Sequence, residues 1–109
     1  MGQSRRIILG AVLLAALLFA TVTTRTEISG TSAAVPIASS GVAVWVQVIA
    51  DPNNANAVRL GDSTVSATVG ARVAPGGGLM LPYKGDQYSL AQIYVYVVTG
   101  DKVSVLWAN

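Results

Sequence analysis

The chain of 109 residues contains no cysteine, no histidine and few charged side chains. The missing cysteines exclude disulfides and thiolate nucleophiles, and the absence of both residue types removes the usual zinc ligands. The many serines also have no histidine base that could activate them. Charged residues make up 11% of the chain, against roughly 25% in an average soluble domain. These absences predict a protein that is not an enzyme and that holds no metal or other cofactor.

The net charge of +2 comes from the N-terminal residues, where Arg5 and Arg6 lie. From residue 25 onward the basic and acidic side chains are equal in number. Nucleic-acid binding requires clustered lysine and arginine that displace counterions from phosphates, and the sequence has no such cluster. Nucleic acid is therefore not a predicted partner. A sparsely charged surface favours association with copies of the same chain, another protein or lipid.

The chain divides into a hydrophobic segment, residues 1–24, and a β-rich module, residues 25–109. Residues 7–20 are apolar on every side and rich in leucine and alanine, which favour a helix. Three interpretations remain open: a cleaved signal peptide, an uncleaved membrane anchor, and a stem helix buried in an oligomer. In the second, residues 7–24 contact a lipid membrane. The predicted membrane or stem helix includes Ile7, Leu9, Val12, Leu13, Leu14, Leu17, Leu18 and Phe19.

Residues 25–109 predict an all-β fold. Short runs of β-branched and aromatic residues alternate with turn residues roughly every 8–12 positions, as in a small antiparallel β-sandwich or jelly-roll-like module of seven or eight strands. Pro36 lacks an N–H group, so its strand should lie at an edge or a bulge. The nine segments from which these seven or eight strands would come span residues 21–28, 33–38, 42–50, 57–60, 64–68, 71–74, 79–83, 93–98 and 103–107.

Three of these candidate strands carry the aromatic residues that are candidates for an interface. Residues 42–50 predict one central strand with apolar side chains on both faces, including Trp45. Residues 93–98 and 103–107 predict a hairpin closed by residues 99–102. Tyr94 and Tyr96 share the strand face opposite an isoleucine–valine face. Together with Trp45 and Trp107 they are candidate interface residues, for a subunit contact more than a glycan. The competing interpretation places both tryptophans in the core.

Three motifs typical of ligand sites are incomplete. The glycines at 76–78 lack the lysine and hydroxyl residue of a phosphate loop, and no helix follows them. The Asp51-Pro52-Asn53-Asn54 segment lacks the glutamate that closes a calcium loop, which favours an Asx-type turn. The remaining aspartates of the module lie in turns beside glycine, where aspartate is common for backbone reasons: Asp62, Asp86 and Asp101.

A resemblance to small β-sandwich virion proteins of bacteriophages and prophages covers roughly residues 21–107. The segments that carry it are, in order, Val58-Arg59-Leu60-Gly61-Asp62-Ser63-Thr64-Val65-Ser66-Ala67, Val73-Ala74-Pro75-Gly76, Ile93-Tyr94-Val95 and Gly100-Asp101-Lys102-Val103-Ser104-Val105. Gly77-Gly78 departs from the polar or acidic residue that often follows Pro-Gly in such proteins. The hydrophobic leader is also unusual for them, and indicates a membrane-containing virion or a surface-anchored assembly protein.

The resemblance implies a non-enzymatic structural protein of a phage-like virion, of the head-decoration, spike, head-fibre or tail-associated type. Its partners would be copies of itself and other virion structural proteins, and it would be located in the virion. The alternative is an exported β-sandwich binding module for glycan, anchored at the bacterial cell envelope or secreted.

Overall fold

The computed structural model describes residues 22–109, and the predicted N-terminal helix lies outside them. Among the described residues the fold is all-β with antiparallel sheets, apart from one turn of 3-10 helix at Leu90–Gln92. The strands are β1 (Val22–Ser29), β2 (Ala34–Pro36), β3 (Val42–Ala43), β4 (Trp45–Ala50), β5 (Val58–Gly61), β6 (Ala71–Val73), β7 (Gly78–Leu81), β8 (Tyr88–Ser89), β9 (Tyr94–Tyr96) and β10 (Lys102–Ala108).

The strands behave as one antiparallel ribbon folded back on itself. β1 pairs with β10, β2 with β9, β3 with β8, β4 with β7, and β5 with β6. Successive pairs of the ribbon fall into different sheets. The first sheet has the order β1-β10-β4-β7, the second has the order β2-β9-β5-β6, and β3 and β8 form a short sheet of their own. Most pairs therefore join residues far apart in sequence.

The two four-stranded sheets share one hydrophobic core, which makes the fold sandwich-like. Alternate residues of each strand point inward, as the period of two requires. Each fully buried valine contributes roughly 1.5–3 kcal/mol to stability. The inward set includes Val46 and Val48 of β4, Val103 and Val105 of β10, Val58 and Leu60 of β5, Val73 of β6 and Val95 of β9, joined by Ile37 and Leu90 from the connections.

A tight corner joins the two sheets where the chain crosses from β1 to β2 and from β9 to β10. Gly30 donates its N–H to the Asp101 carbonyl at 2.8 Å, and Ser32 donates its N–H to the Val97 carbonyl at 2.9 Å. The two crossings run so close that a Cβ atom on Gly30 would lie 2.6 Å from the Val98 carbonyl carbon. Only glycine fits this corner.

The structure corrects three strand predictions. β9 and β10 do not pair with each other, so the predicted hairpin of residues 93–107 is wrong; each pairs with strands of a different sheet. The predicted strand 42–50 breaks at Val44, because residues 42–43 pair with β8 and leave the first sheet. Residues 64–68 form turns with Val65 buried in place of a strand. The prediction for Pro36 is confirmed, since β2 is an edge strand.

Candidate interaction surfaces

The outward side of the first sheet is apolar, and we call it the first-sheet face. The strand registers place Leu106, Gln47 and Met80 in one row across β10, β4 and β7. Val22, Ile49 and Met80 are 57%, 40% and 50% exposed, respectively. Eight described side chains of this face are uncharged: Val22, Thr24, Trp45, Gln47, Ile49, Met80, Ser104 and Leu106. Large exposed apolar side chains that lie together mark contact surfaces.

The charges of the first-sheet face lie at one end, where they neutralise each other. Lys102 is at the start of β10, and its Nζ lies 3.6 Å from Glu27 Oε1. Both side chains are well exposed, so the pair contributes little to stability. Because the pair lies at one end, a contact through the eight uncharged side chains does not have to remove these two charges from water.

The outward side of the second sheet has a different chemistry, and we call it the tyrosine–arginine face. Tyr96 of β9 lies opposite Arg59 of β5, and Arg59 lies opposite Arg72 of β6, which forms one row. Tyr94 lies in the next row, between Pro36 and Gly61. Both tyrosines are half-buried, while Ile93, Val95 and Val97 are buried beneath them. The alternation predicted for residues 93–98 is therefore observed, and the interface role of the two tyrosines stays a prediction.

The two arginines have few internal partners. Arg59 donates from a terminal guanidinium nitrogen to the Gly70 carbonyl at 3.2 Å. Its Nε is buried and has no hydrogen-bond partner among the described residues. The side chain of Arg72 is exposed and forms no hydrogen bond or ion pair with residues 22–109. Like charges directly opposite each other on neighbouring strands repel, so the isolated fold gains nothing from this pair.

An open cleft of about 480 Å³ lies along β2 and the residues that follow it. Among the described residues, those that line it are Val35, Pro36, Ala38 and Ser39. The lining side chains are small and uncharged, so the cleft offers shape and apolar contact more than polar recognition.

The four predicted interface residues occupy different places. Trp45 is on the first-sheet face, and Tyr94 and Tyr96 are on the tyrosine–arginine face. Trp107 points inward and packs against the core, in line with the alternative interpretation. The structure therefore does not bring the four together in one site. Arg59 and Arg72 were missed, although alternation in Val58-Arg59-Leu60 and Ala71-Arg72-Val73 places both arginines outward.

Asp101 anchors a loop and does not form part of a reactive cluster. It is 6% exposed, and its carboxylate accepts hydrogen bonds from the Ala55 N–H at 3.0 Å and the Asn56 N–H at 3.0 Å. These donors, led by Ala55, hold the pKa of Asp101 below its ordinary value, although burial acts in the opposite direction. Asn54 completes the loop anchor with bonds to both backbone groups of Lys102, each 2.8 Å.

The other motif residues have local roles. Asp51 accepts the Asn53 N–H at 2.8 Å, which confirms the predicted Asx-type turn. Asp62 accepts the Thr64 N–H at 2.9 Å, and the Thr64 hydroxyl lowers the pKa of its carboxyl. Within residues 22–109, no three acidic, histidine or cysteine side chains come together as a metal site would require. In that same part of the chain, no helix has the length and apolar character needed to cross a bilayer.

Comparison with known proteins identified no relative of this chain. No protein-family model, no curated protein and no solved structure matches this chain. The resemblance to phage virion proteins and the roles of the two faces therefore stay predictions, which rest on the residues of this chain.

Proposed function

We propose that the chain is a non-enzymatic structural protein that assembles with copies of itself through the first-sheet face. The observation that carries the proposal is the uncharged, apolar and exposed character of that face, with Met80 and Val22 at least half exposed. Such a surface gains free energy when it leaves water, at about 25 cal/mol per Å² of apolar area. A second copy supplies the same uncharged chemistry, as a symmetric contact requires.

The size of the face indicates what kind of assembly it serves. Four strands about 4.8 Å apart, each contributing about six residues of 3.3 Å rise, cover roughly 400 Å². A stable interface between two proteins buries about 800 Å² on each partner. One such contact alone would hold two free modules weakly. It becomes effective when a particle or a membrane already holds many copies close together.

We infer a jelly roll from the strand order, and this inference supports a virion setting. Without the short β3–β8 pair, the eight remaining strands in chain order occupy positions 1-8-3-6 in one sheet and 2-7-4-5 in the other. That order is the one produced when an eight-stranded ribbon folds into two Greek keys, and it is common in viral capsid proteins and in lectins. The link from fold to function is an analogy. Together with the resemblance above, it favours a component of a phage-like virion over other assemblies.

In this proposal residues 7–24 fix the module in place, as an anchor in a membrane or as a stem within the particle. The module would then lie at the surface, with other virion structural proteins as neighbours. The alternative, an envelope-anchored or secreted binding module, is supported by the tyrosine–arginine face, because half-buried tyrosines on an open sheet surface are suited to stacking with a ring-shaped ligand.

Cysteine labelling tests the first-sheet face directly, because the chain contains no cysteine of its own. Met80→Cys places one thiol on the face, and Val69→Cys places one in a loop outside both sheets; both native side chains are 50% exposed. We expect assembled full-length protein to react with a maleimide at least about tenfold more slowly at position 80 than detergent-dispersed protein does, because neighbouring copies cover that face. Position 69 should react equally in both states. Equal reactivity of the Met80→Cys variant in both states would reject the face as the contact.

The composition of purified particles tests whether the protein is a virion component. Quantitative mass spectrometry of purified phage-like particles should find the intact chain at a fixed ratio to the major capsid protein. If the chain is absent from particles and present in the cell envelope, the virion setting is wrong and the alternative is favoured.

A further inference from the structure

The tyrosine–arginine face places two positive charges side by side without a neighbouring negative charge from the strands of the second sheet. Arg59 and Arg72 are direct cross-strand neighbours on the same side of the second sheet. The other outward residues of these strands are Ala34, Pro36, Tyr94, Tyr96 and Gly61, so no carboxylate accompanies the two guanidinium groups. Asp62 follows β5, but its carboxylate is engaged with Thr64. Two opposed arginines without a counter-charge repel each other.

The side-chain hydrogen bonds of the two arginines also indicate an anionic partner. Arg59 makes one side-chain hydrogen bond within residues 22–109, from a terminal guanidinium nitrogen to the Gly70 carbonyl. The exposed side chain of Arg72 has all its donors unused within the described part of the chain. Guanidinium groups bind carboxylate or sulfate oxygens through paired, charge-assisted hydrogen bonds, so one anionic group between the two side chains would relieve the repulsion and accept hydrogen bonds from Arg72.

We propose that Arg59 and Arg72 bind the acidic group of a saccharide whose neighbouring sugar ring stacks on Tyr96 or Tyr94. Tyr96 lies directly opposite Arg59 on the neighbouring strand, and Tyr94 lies two residues earlier on the same face. Outward residues two apart on a strand are about 6.6 Å from each other, so one oligosaccharide can reach both rings. The C–H face of a sugar packs on an aromatic ring. The hydroxyls of Tyr94 and Tyr96 have no hydrogen-bond partner among residues 22–109, so they can bond the sugar hydroxyls.

Two features favour an acidic saccharide over other anions. A single-stranded nucleic acid carries a phosphate on every nucleotide and needs a longer track of cations than two arginines provide. An acidic peptide most often adds to the edge of a sheet through its backbone, whereas these four side chains occupy the face. The small residues Ala34, Pro36 and Gly61 around the tyrosines leave room for a flat ring.

Binding measurements on detergent-solubilised full-length protein test the proposal. The probes are a galacturonate tetramer, its fully methyl-esterified form, a chondroitin sulfate tetrasaccharide and a single-stranded DNA 10-mer, all titrated by calorimetry at one fixed salt concentration. We expect at least one acidic saccharide to bind at least about tenfold more tightly than the neutral ester, as charge-assisted hydrogen bonds predict. The DNA should bind more weakly than that saccharide.

Variants separate this site from other surfaces. Arg72→Gln and Tyr96→Ala should each weaken the acidic saccharide at least about tenfold. Lys84→Gln, which removes the same charge from a residue that lies over the Tyr88 ring outside the second sheet, should leave affinity unchanged. Tyr83→Ala, at an exposed tyrosine outside both sheets, is the matched control for the ring. Circular dichroism of each variant verifies that the β-module is still folded.

Three results would overturn the proposal: no acidic saccharide binding tighter than about 1 mM, equal binding of the neutral ester, or tighter binding of the DNA with loss in Arg72→Gln. None of these concerns assembly. Arg72→Gln should leave the Met80→Cys protection pattern intact, so failure of the saccharide site and failure of the first-sheet contact are distinguishable.

Discussion

Replacement of Gly30 by alanine adds only one methyl group but should destabilise the module strongly. The new Cβ would lie 2.6 Å from the Val98 carbonyl carbon and 2.9 Å from the Val97 carbonyl oxygen, both backbone atoms that cannot rotate away. Relief requires separation of the two crossing segments, at about 1–3 kcal/mol for overpacking. That movement also strains the Gly30 N–H bond to Asp101, which contributes about 0.5–1.5 kcal/mol. Together these effects predict a loss of about 1.5–4.5 kcal/mol in the free energy of unfolding.

The assay is guanidinium unfolding of the full-length protein in detergent, followed by the fluorescence of Trp45 and Trp107. Gly85→Ala is the control, because Gly85 has a φ of +83° and no atom within 4 Å of an added Cβ. It isolates the backbone penalty of a left-handed residue, about 1–2 kcal/mol. If Gly30→Ala is no more destabilising than Gly85→Ala, the close approach at the corner does not exist and the arrangement of the two crossings is wrong.

Two further predictions concern the loop anchor and the core. The pKa of Asp101 is lowered from 3.8 in the fold, so its contribution to stability is complete above that value and is lost as the pH falls through the lower folded pKa. The unfolding midpoint of Asp101→Asn should therefore depend less on pH below about 4 than that of the native protein, and equal acid dependence would contradict the anchor. Val48→Ala, at a fully buried position of β4, should lower the free energy of unfolding by about 2–3 kcal/mol. Ile49 faces outward on the same strand, so Ile49→Ala should lower the free energy of unfolding of dispersed protein by less than half as much as Val48→Ala. Equal losses in the two variants would show that the core does not lie on the Val48 side of β4.

Local features of the fold were predictable from sequence because they depend on neighbouring residues. Alternation in residues 93–97 places the tyrosines opposite the buried side chains, and Pro36 marks an edge strand. The Asx-type turn at Asp51 depends on a residue two positions away. Each of these can be read within a short window, so each agrees with the structure.

Pairing partners were not predictable in the same way. The turn at residues 99–102 has the composition of a hairpin turn, yet Asp101 uses its carboxylate to hold residues 55 and 56, and Gly30 binds its carbonyl. These long-range bonds direct β10 into the first sheet while β9 stays in the second. The same limit applies to the candidate site, because the opposition of Arg59 and Arg72 follows from the register of β5 and β6. Alternation shows which way a side chain points, but not what it faces.

The pairing of β1 with β10 determines how the module would respond to tension. Val22 lies opposite Ala108 and Ser29 lies opposite Lys102, so the two strands present their outer ends at the same end of the sheet. A pull along β1 that is resisted by packed neighbours on the sheet surface loads all the hydrogen bonds between these strands at once, in shear. A pull that separates Val22 from Ala108 opens the same bonds one pair after another. The mechanical strength of the module therefore depends on whether the force is applied along β1 or across the Val22–Ala108 end of the strand pair.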